Sequence, residues 1–210
     1  MVARASAPTA RAHRAVESFQ TAGEAIGPIE PGMSMFAITR GQWSMIDAVL
    51  WCLGQVGPAR LSIWTWTIAD YEVDVFNGLR DDGRVTDGRL IIDASARGKN
   101  ALLLRAWQAR FGRDSVRYVV NHAKIATIET AERRRLLLRG SMNLNYNPRF
   151  EQFDLSEGGP AFDLVRQIED ELPALPFAAT GEEVYRASRV AEAFEPDKLS
   201  LFKGLRRWAK

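Results

Sequence analysis

The chain has 210 residues, of which 46% are hydrophobic, and a formal net charge of +2 at pH 7. That length suits one domain with a real core, and no apolar run nears the roughly 20 residues of a membrane-spanning helix. One cysteine and two histidines exclude a disulfide framework and argue against the usual Cys/His zinc site, while a carboxylate-bound metal stays open on composition.

Residues 1–34 mix Ala, Ser, Thr, Gly and Pro with scattered charge and read as a flexible N-terminal arm. The arm carries arginines but no apolar signal core, so a cytoplasmic location is expected. From Gly41 the pattern changes. Trp43, Ile46, Val49, Leu50 and Leu53 recur at helical spacing, closed by Gly54 and Gly57. Cys52 falls in this apolar run and reads as a core thiol.

Arg60 to Ile68 alternates and is rich in β-formers, which predicts a strand. Asp70 to Arg80 reads as a second helix, followed by a turn at Asp81-Asp82-Gly83. Arg89 to Asp93 is a short buried-type strand. Asn100 caps a helix through Trp107 that ends near Gly112. Val116 to Glu129 reads as a third strand. The alternation of helices and strands predicts an α/β fold with a mixed, largely parallel sheet flanked by helices. Phe150 to Leu155 is a further strand. A helix then starts at Pro160 and stops at Pro173, and another covers Glu182 to Phe194. The basic amphipathic stretch Leu199 to Lys210 ends the chain. The main domain is thus expected over 35–178, with a C-terminal helical extension and basic tail over 179–210.

The stretch N-H-A-K-I-A-T-I-E at 121–129 holds one of the two histidines. R-G-S-M-N-L-N follows at 139–145, after a short polar link that suits a hairpin turn. Residues two apart share a strand face, so His122 pairs with Lys124 and Ser141 with Asn143. With Glu129 opposite Arg134, His122 faces Ser141; a shift of two residues puts it opposite Asn143. Either register gathers all four side chains on one face, whereas a shift of one separates the pairs.

Lysine offers a fixed positive charge, and serine and asparagine offer neutral donors, all suited to phosphate oxygens. Histidine can attack phosphorus or move a proton near neutral pH. Gly140 is expected to let the backbone approach a ligand. Glu151 falls on an apolar face, needs a partner, and is expected to orient the imidazole of His122.

His122-Ala-Lys124 followed by Gly140-Ser-Met-Asn143 resembles the HxK…GSxN signature of the phospholipase D superfamily. The span from about Gly41 to Leu155 resembles one catalytic module of that family. The resemblance implies a phospholipase D-like fold with a β-hairpin carrying the active site. It also implies a metal-independent phosphodiesterase acting through a phosphohistidine. His122 would be nucleophile or acid, Lys124 and Asn143 would bind phosphate, Ser141 would support it, and Glu151 would orient the ring. Glu129 stands where the family has aspartate and is a supporting residue by this likeness.

The family mechanism uses two histidines from two modules. The other histidine here is His13, in the expected arm. A complete site then requires a second chain, so a homodimer is expected. Small single-module members of the family are typically nucleases, which makes nucleic acid, DNA or RNA, the expected partner. Arg133, Arg134, Arg135 and Arg139 are candidates to track its backbone. The alternative is a nucleic-acid-binding protein whose phospholipase D-like module has weak or lost catalysis.

Overall fold

A computed structural model describes residues 13–17, 21–146 and 148–188. Eight strands form one mixed sheet in the order β1-β2-β8-β7-β6-β3-β4-β5. These are β1 (His13–Glu17), β2 (Ser34–Thr39), β3 (Ala59–Thr65), β4 (Val85–Asp93), β5 (Val116–Val119), β6 (Lys124–Thr130), β7 (Arg135–Gly140) and β8 (Glu151–Glu157). The helices are α1 (Ala22–Ile26), α2 (Met45–Val56), α3 (Asp70–Asp81), α4 (Ala101–Phe111), α5 (Pro160–Glu171) and α6 (Gly181–Ser188). The α/β architecture agrees with the sequence. Parallel pairing is confined to the flanks, β1 with β2 and β3-β4-β5, while the centre is antiparallel.

Alternation decides which face of the sheet each residue serves. Ile63, Leu90, Ala126, Leu138 and Leu155 lie on one face and are buried in the main core. Helices α1 to α4 supply the rest of that core, with Phe76 and Trp107 meeting edge to face at 5.3 Å. The other face is partly covered by α5. There the Trp64 indole donates to Glu169 Oε1 at 2.8 Å, and Arg166 Nη1 binds Glu169 Oε2 at 2.6 Å. Glu169 is fully buried, so these two donors satisfy a carboxylate that would otherwise be costly to bury.

Cys52 lies in α2 within the core, and burial pushes its thiol pKa up to about 12. The native protein is therefore expected to resist thiol-directed disulfide reagents at mildly alkaline pH and to react only after unfolding. Fast labelling of the folded chain would contradict this placement.

Two expectations are corrected. First, the described part of the expected arm is built into the domain. β1 pairs with β2 in parallel, and α1 buries Ala22, Ala25 and Ile26. The cause is a capping box, in which Thr21 Oγ1 accepts from Glu24 N and the Glu24 carboxylate accepts from Thr21 N. The arm's other residues, the end of the helix expected to reach Phe194 and the basic stretch 199–210 lie outside the described residues.

Second, the strand expected over Val116 to Glu129 is two strands. β5 runs at the sheet edge beside β4, and β6 runs antiparallel to β3. Residues 120–123 cross the ends of β4 and β3 between them, a span of about three strand spacings, or roughly 14 Å.

Candidate functional site

The crossing segment 120–123 is pinned at both strand ends it passes. Asn121 N donates to Asp93 Oδ2 at the end of β4 at 2.8 Å. Asn121 Nδ2 donates to Thr65 O at the end of β3 at 3.0 Å. Asn121 Oδ1 accepts from Ala123 N at 2.9 Å, and Val120 N donates to Ser188 Oγ of α6 at 2.9 Å. Asparagine suits this work because its short amide bonds the neighbouring backbone. The result holds exposed His122 at the carboxyl ends of the parallel strands, where open α/β sheets bind ligands.

Lys124, the first residue of β6, is buried, and its ammonium turns back to the loop. Its Nζ donates to His122 O at 2.8 Å and stands 3.1 Å from His122 Nδ1. Burial lowers the Lys124 pKa from the ordinary lysine range, and the Glu151 carboxylate partly raises it again. Glu151 opens β8 and accepts a short hydrogen bond from Ser141 Oγ. Ser141 Oγ also accepts from Gln152 N at 2.9 Å. His122 with Lys124 and Ser141 with Glu151 thus form two polar pairs of one cluster at this end of the sheet, with the Glu151 charge acting on Lys124. An open groove of about 480 Å³ runs beside it, lined by Lys124, Arg139, Gly140, Ser141, Gln152 and Asp154.

Asn143 lies at the same end of the sheet. Its carbonyl accepts from Met45 N at the start of α2 at 3.3 Å, and its Oδ1 is buried without a hydrogen-bond partner.

The hairpin register differs from both expected alignments. Glu129 pairs with Arg135 and Lys124 with Gly140, the one-residue shift that separates the pairs. His122 precedes the strand, so strand alternation does not place it. The four side chains gather because two loops and the start of β8 converge at one end of the sheet. Glu151 binds Ser141 and faces Lys124, in place of the expected bond to the imidazole.

Gly140 serves a different neighbour from the one expected. A Cβ there would stand 2.2 Å from Gln152 O of β8, so the close approach is between two strands of the same sheet.

Glu129 and the turn arginines lie at the far end of the hairpin, about 17 Å along β6 from Lys124. Glu129 is 3.8 Å from Arg166 of α5. Arg134 binds Glu157 at 2.7 Å and Arg135 binds Asp163 at 2.6 Å. Arg133 occupies the turn itself with φ 63°. Of the four arginines, Arg139 alone lines the groove. Asn121 and Asp93 were not singled out in the sequence, although the N-H-x-K spelling holds the asparagine.

His13 begins β1, opposite Ser34. Its backbone is four strand spacings, roughly 19 Å, across the sheet from β6.

No protein-family profile matches the chain, and no curated protein matches it in sequence. Two solved structures are similar in fold. The polyphosphate kinase from Porphyromonas gingivalis has a TM-score of 0.44 at 13% identity, over 65% of this chain and 25% of that one. The phosphatidylserine synthase from Haemophilus influenzae Rd KW20 has a TM-score of 0.45 at 12% identity, over 69% of this chain and 37% of that one. This chain thus spans about a quarter and little more than a third of their lengths. Among the described residues, no helix is long and apolar enough to cross a membrane.

Proposed function

We propose that this chain is a metal-independent phosphodiesterase of phospholipase D type, a nuclease completed at the interface of a homodimer. The observation that carries the proposal is the buried Lys124 ammonium held 3.1 Å from the exposed His122 imidazole at the ends of the strands. A cation fixed beside a nucleophile is suited to a phosphate diester and to the charge that builds during its cleavage.

In this mechanism His122 Nε2 or Nδ1 attacks phosphorus, and the P–O bond to the leaving group breaks. The partner chain's copy of the same histidine protonates the leaving oxygen. Water then attacks phosphorus, the P–N bond to His122 breaks to free its imidazole, and the second imidazole takes the water's proton. Lys124 and the amide of Asn143 hold the non-bridging oxygens. Ser141 and Glu151 position Lys124 and the groove wall. The His13 backbone, roughly 19 Å across the sheet from β6, supports the reading that the second imidazole comes from a partner chain.

A binding protein with lost catalysis would find its support in Glu129, the residue that departs from the family's aspartate. That carboxylate pairs with Arg166 at the opposite end of the hairpin, where its extra length over aspartate touches no part of the polar cluster.

The test is incubation of labelled DNA and RNA with the protein in excess EDTA. Cleavage is expected to persist there. A strict divalent-metal requirement would overturn the mechanism.

The lowered Lys124 pKa predicts a further result. Phosphate binding needs the charged ammonium, so kcat/KM is expected to fall on the alkaline side below the usual lysine value of about 10.4. Glu151→Gln removes a charge that raises this pKa, so the alkaline limb should move to still lower pH. A limb unmoved by Glu151→Gln would detach Lys124 from it.

A further inference from the structure

We infer that the rim around His122 and Lys124 is a stacking platform for single-stranded nucleic acid. The inference rests on the phosphodiesterase proposal for the phosphate-binding centre and adds the strandedness of the substrate.

Three aromatic side chains stand exposed on this rim. Trp66, one residue past β3, is 48% exposed; Tyr146 and Phe150, in the β7–β8 loop, are 61% and 72% exposed. They lie on both sides of Lys124, because β6 and β7 run between β3 and β8. Three strand spacings separate those outer strands, about 14 Å, close to the rise of four stacked bases at roughly 3.4 Å each.

The rings are held in place. The Trp66 indole donates to Ser95 Oγ at 3.3 Å. The Arg40 guanidinium lies 5.3 Å from the centre of the Phe150 ring. A fully buried aromatic would gain core area over its whole surface, but these rings leave about half or more of theirs open to solvent. Exposed rings interleaved with cations are the elements that bind single strands, since every base has a face to stack and every linkage a charge. Lys99, past the end of β4, and Arg149, next to Phe150 in the β7–β8 loop, are also exposed.

A duplex hides its base faces and offers these rings only its sugar-phosphate edges. An anionic bilayer would favour one contiguous apolar patch, whereas here a polar cluster divides the rings. Tyr71 is also exposed on this end, but it adjoins exposed Asp70 and Asp74 and is left outside the platform.

The experiment measures binding, not cleavage, in the His122→Ala protein. Labelled oligothymidylate, a matched duplex and phosphatidylserine vesicles are titrated in turn. The oligothymidylate should bind more tightly than the duplex. Trp66→Ala and Phe150→Ala should each weaken it about tenfold or more, with duplex binding nearly unchanged. Trp66→Phe keeps a ring and should retain most of the affinity, which separates stacking from a folding defect. Equal affinity for both nucleic acids, indifferent to the aromatic substitutions, would overturn the inference. So would vesicle binding that the same substitutions abolish while oligothymidylate binding stands. Cleavage by the unsubstituted protein in EDTA reports separately on the phosphodiesterase proposal, so each can fail alone.

Discussion

Replacing His122 with alanine is expected to reduce phosphodiester cleavage by about ten-thousand-fold or more, the scale seen when a nucleophile is removed. No other imidazole can take its place. His13 starts an edge strand four spacings away, and these are the only two histidines of the chain. The substitution should leave the fold intact. His122 is exposed, and the bonds that fix its loop come from Asn121, Ala123 and Val120. The unfolding free energy from urea titration should therefore stay within about 0.5 kcal/mol of the parent. Asn121→Ala makes the useful contrast, since it removes the amide that ties the loop to β3 and should lower both stability and activity.

The same variant tests the two-chain site. If each site needs one His122 from each chain, a mixed dimer has no complete site. Equal mixing with full subunit exchange should then leave about one quarter of the activity, because only parent–parent dimers work. Activity that falls only to half would mean that each chain works alone. A strictly monomeric active protein would sink the shared site outright.

The elements were legible where local pattern and burial agree. The helix over Met45–Val56 shows an apolar stripe, and β3 shows its β-formers, because each buries one face against a single core. The break between β5 and β6 was not legible. Val116 to Glu129 is apolar and β-rich almost throughout, and the crossing is made by Asn121 bonding to strand ends far away in sequence. A tertiary tie of this kind leaves no periodicity. The T-A-G-E spelling at 21–24 was legible in principle, as a capping box, and was obscured by the polar composition around it.

The site divides in the same way. The residue types and their spacing singled out His122, Lys124, Ser141 and Glu151, and in the structure these stand as two polar pairs, Lys124 with His122 and Glu151 with Ser141, at one end of the sheet. The reason given for their meeting was a strand face. The register is shifted by one, so the true reason is the convergence of chain ends at one edge of the core. Proximity in sequence also misled. Arg133 to Arg135 lie only a few residues before Ser141, but a hairpin places its turn at the end opposite its open strands. Their charges are used against Glu157 and Asp163 of the same domain.

Gly140→Ala is the substitution expected to cost most stability, about 3 kcal/mol or more. Gly140 is not among the glycines with positive φ, so alanine is not opposed by backbone conformation. Space decides. The new methyl carbon would stand 2.2 Å from Gln152 O and 3.3 Å from Phe153 Cα, both backbone atoms. A flexible side chain could swing aside, but β8 is held by ladders on two sides, from β2 and from β7. Gln152 O itself accepts from Ser141 N at 3.0 Å. Relief therefore requires β7 and β8 to part where Ser141 and Glu151 meet, and Phe153 to leave its edge-to-face contact with Trp43 at 4.9 Å. Stability and site geometry should fail together: the urea midpoint falls, and any residual folded protein binds phosphate analogues poorly. An unfolding free energy within about 0.5 kcal/mol of the parent would show that the strands have slack here. Gly140 would then return to the role first expected of it, as room for a ligand.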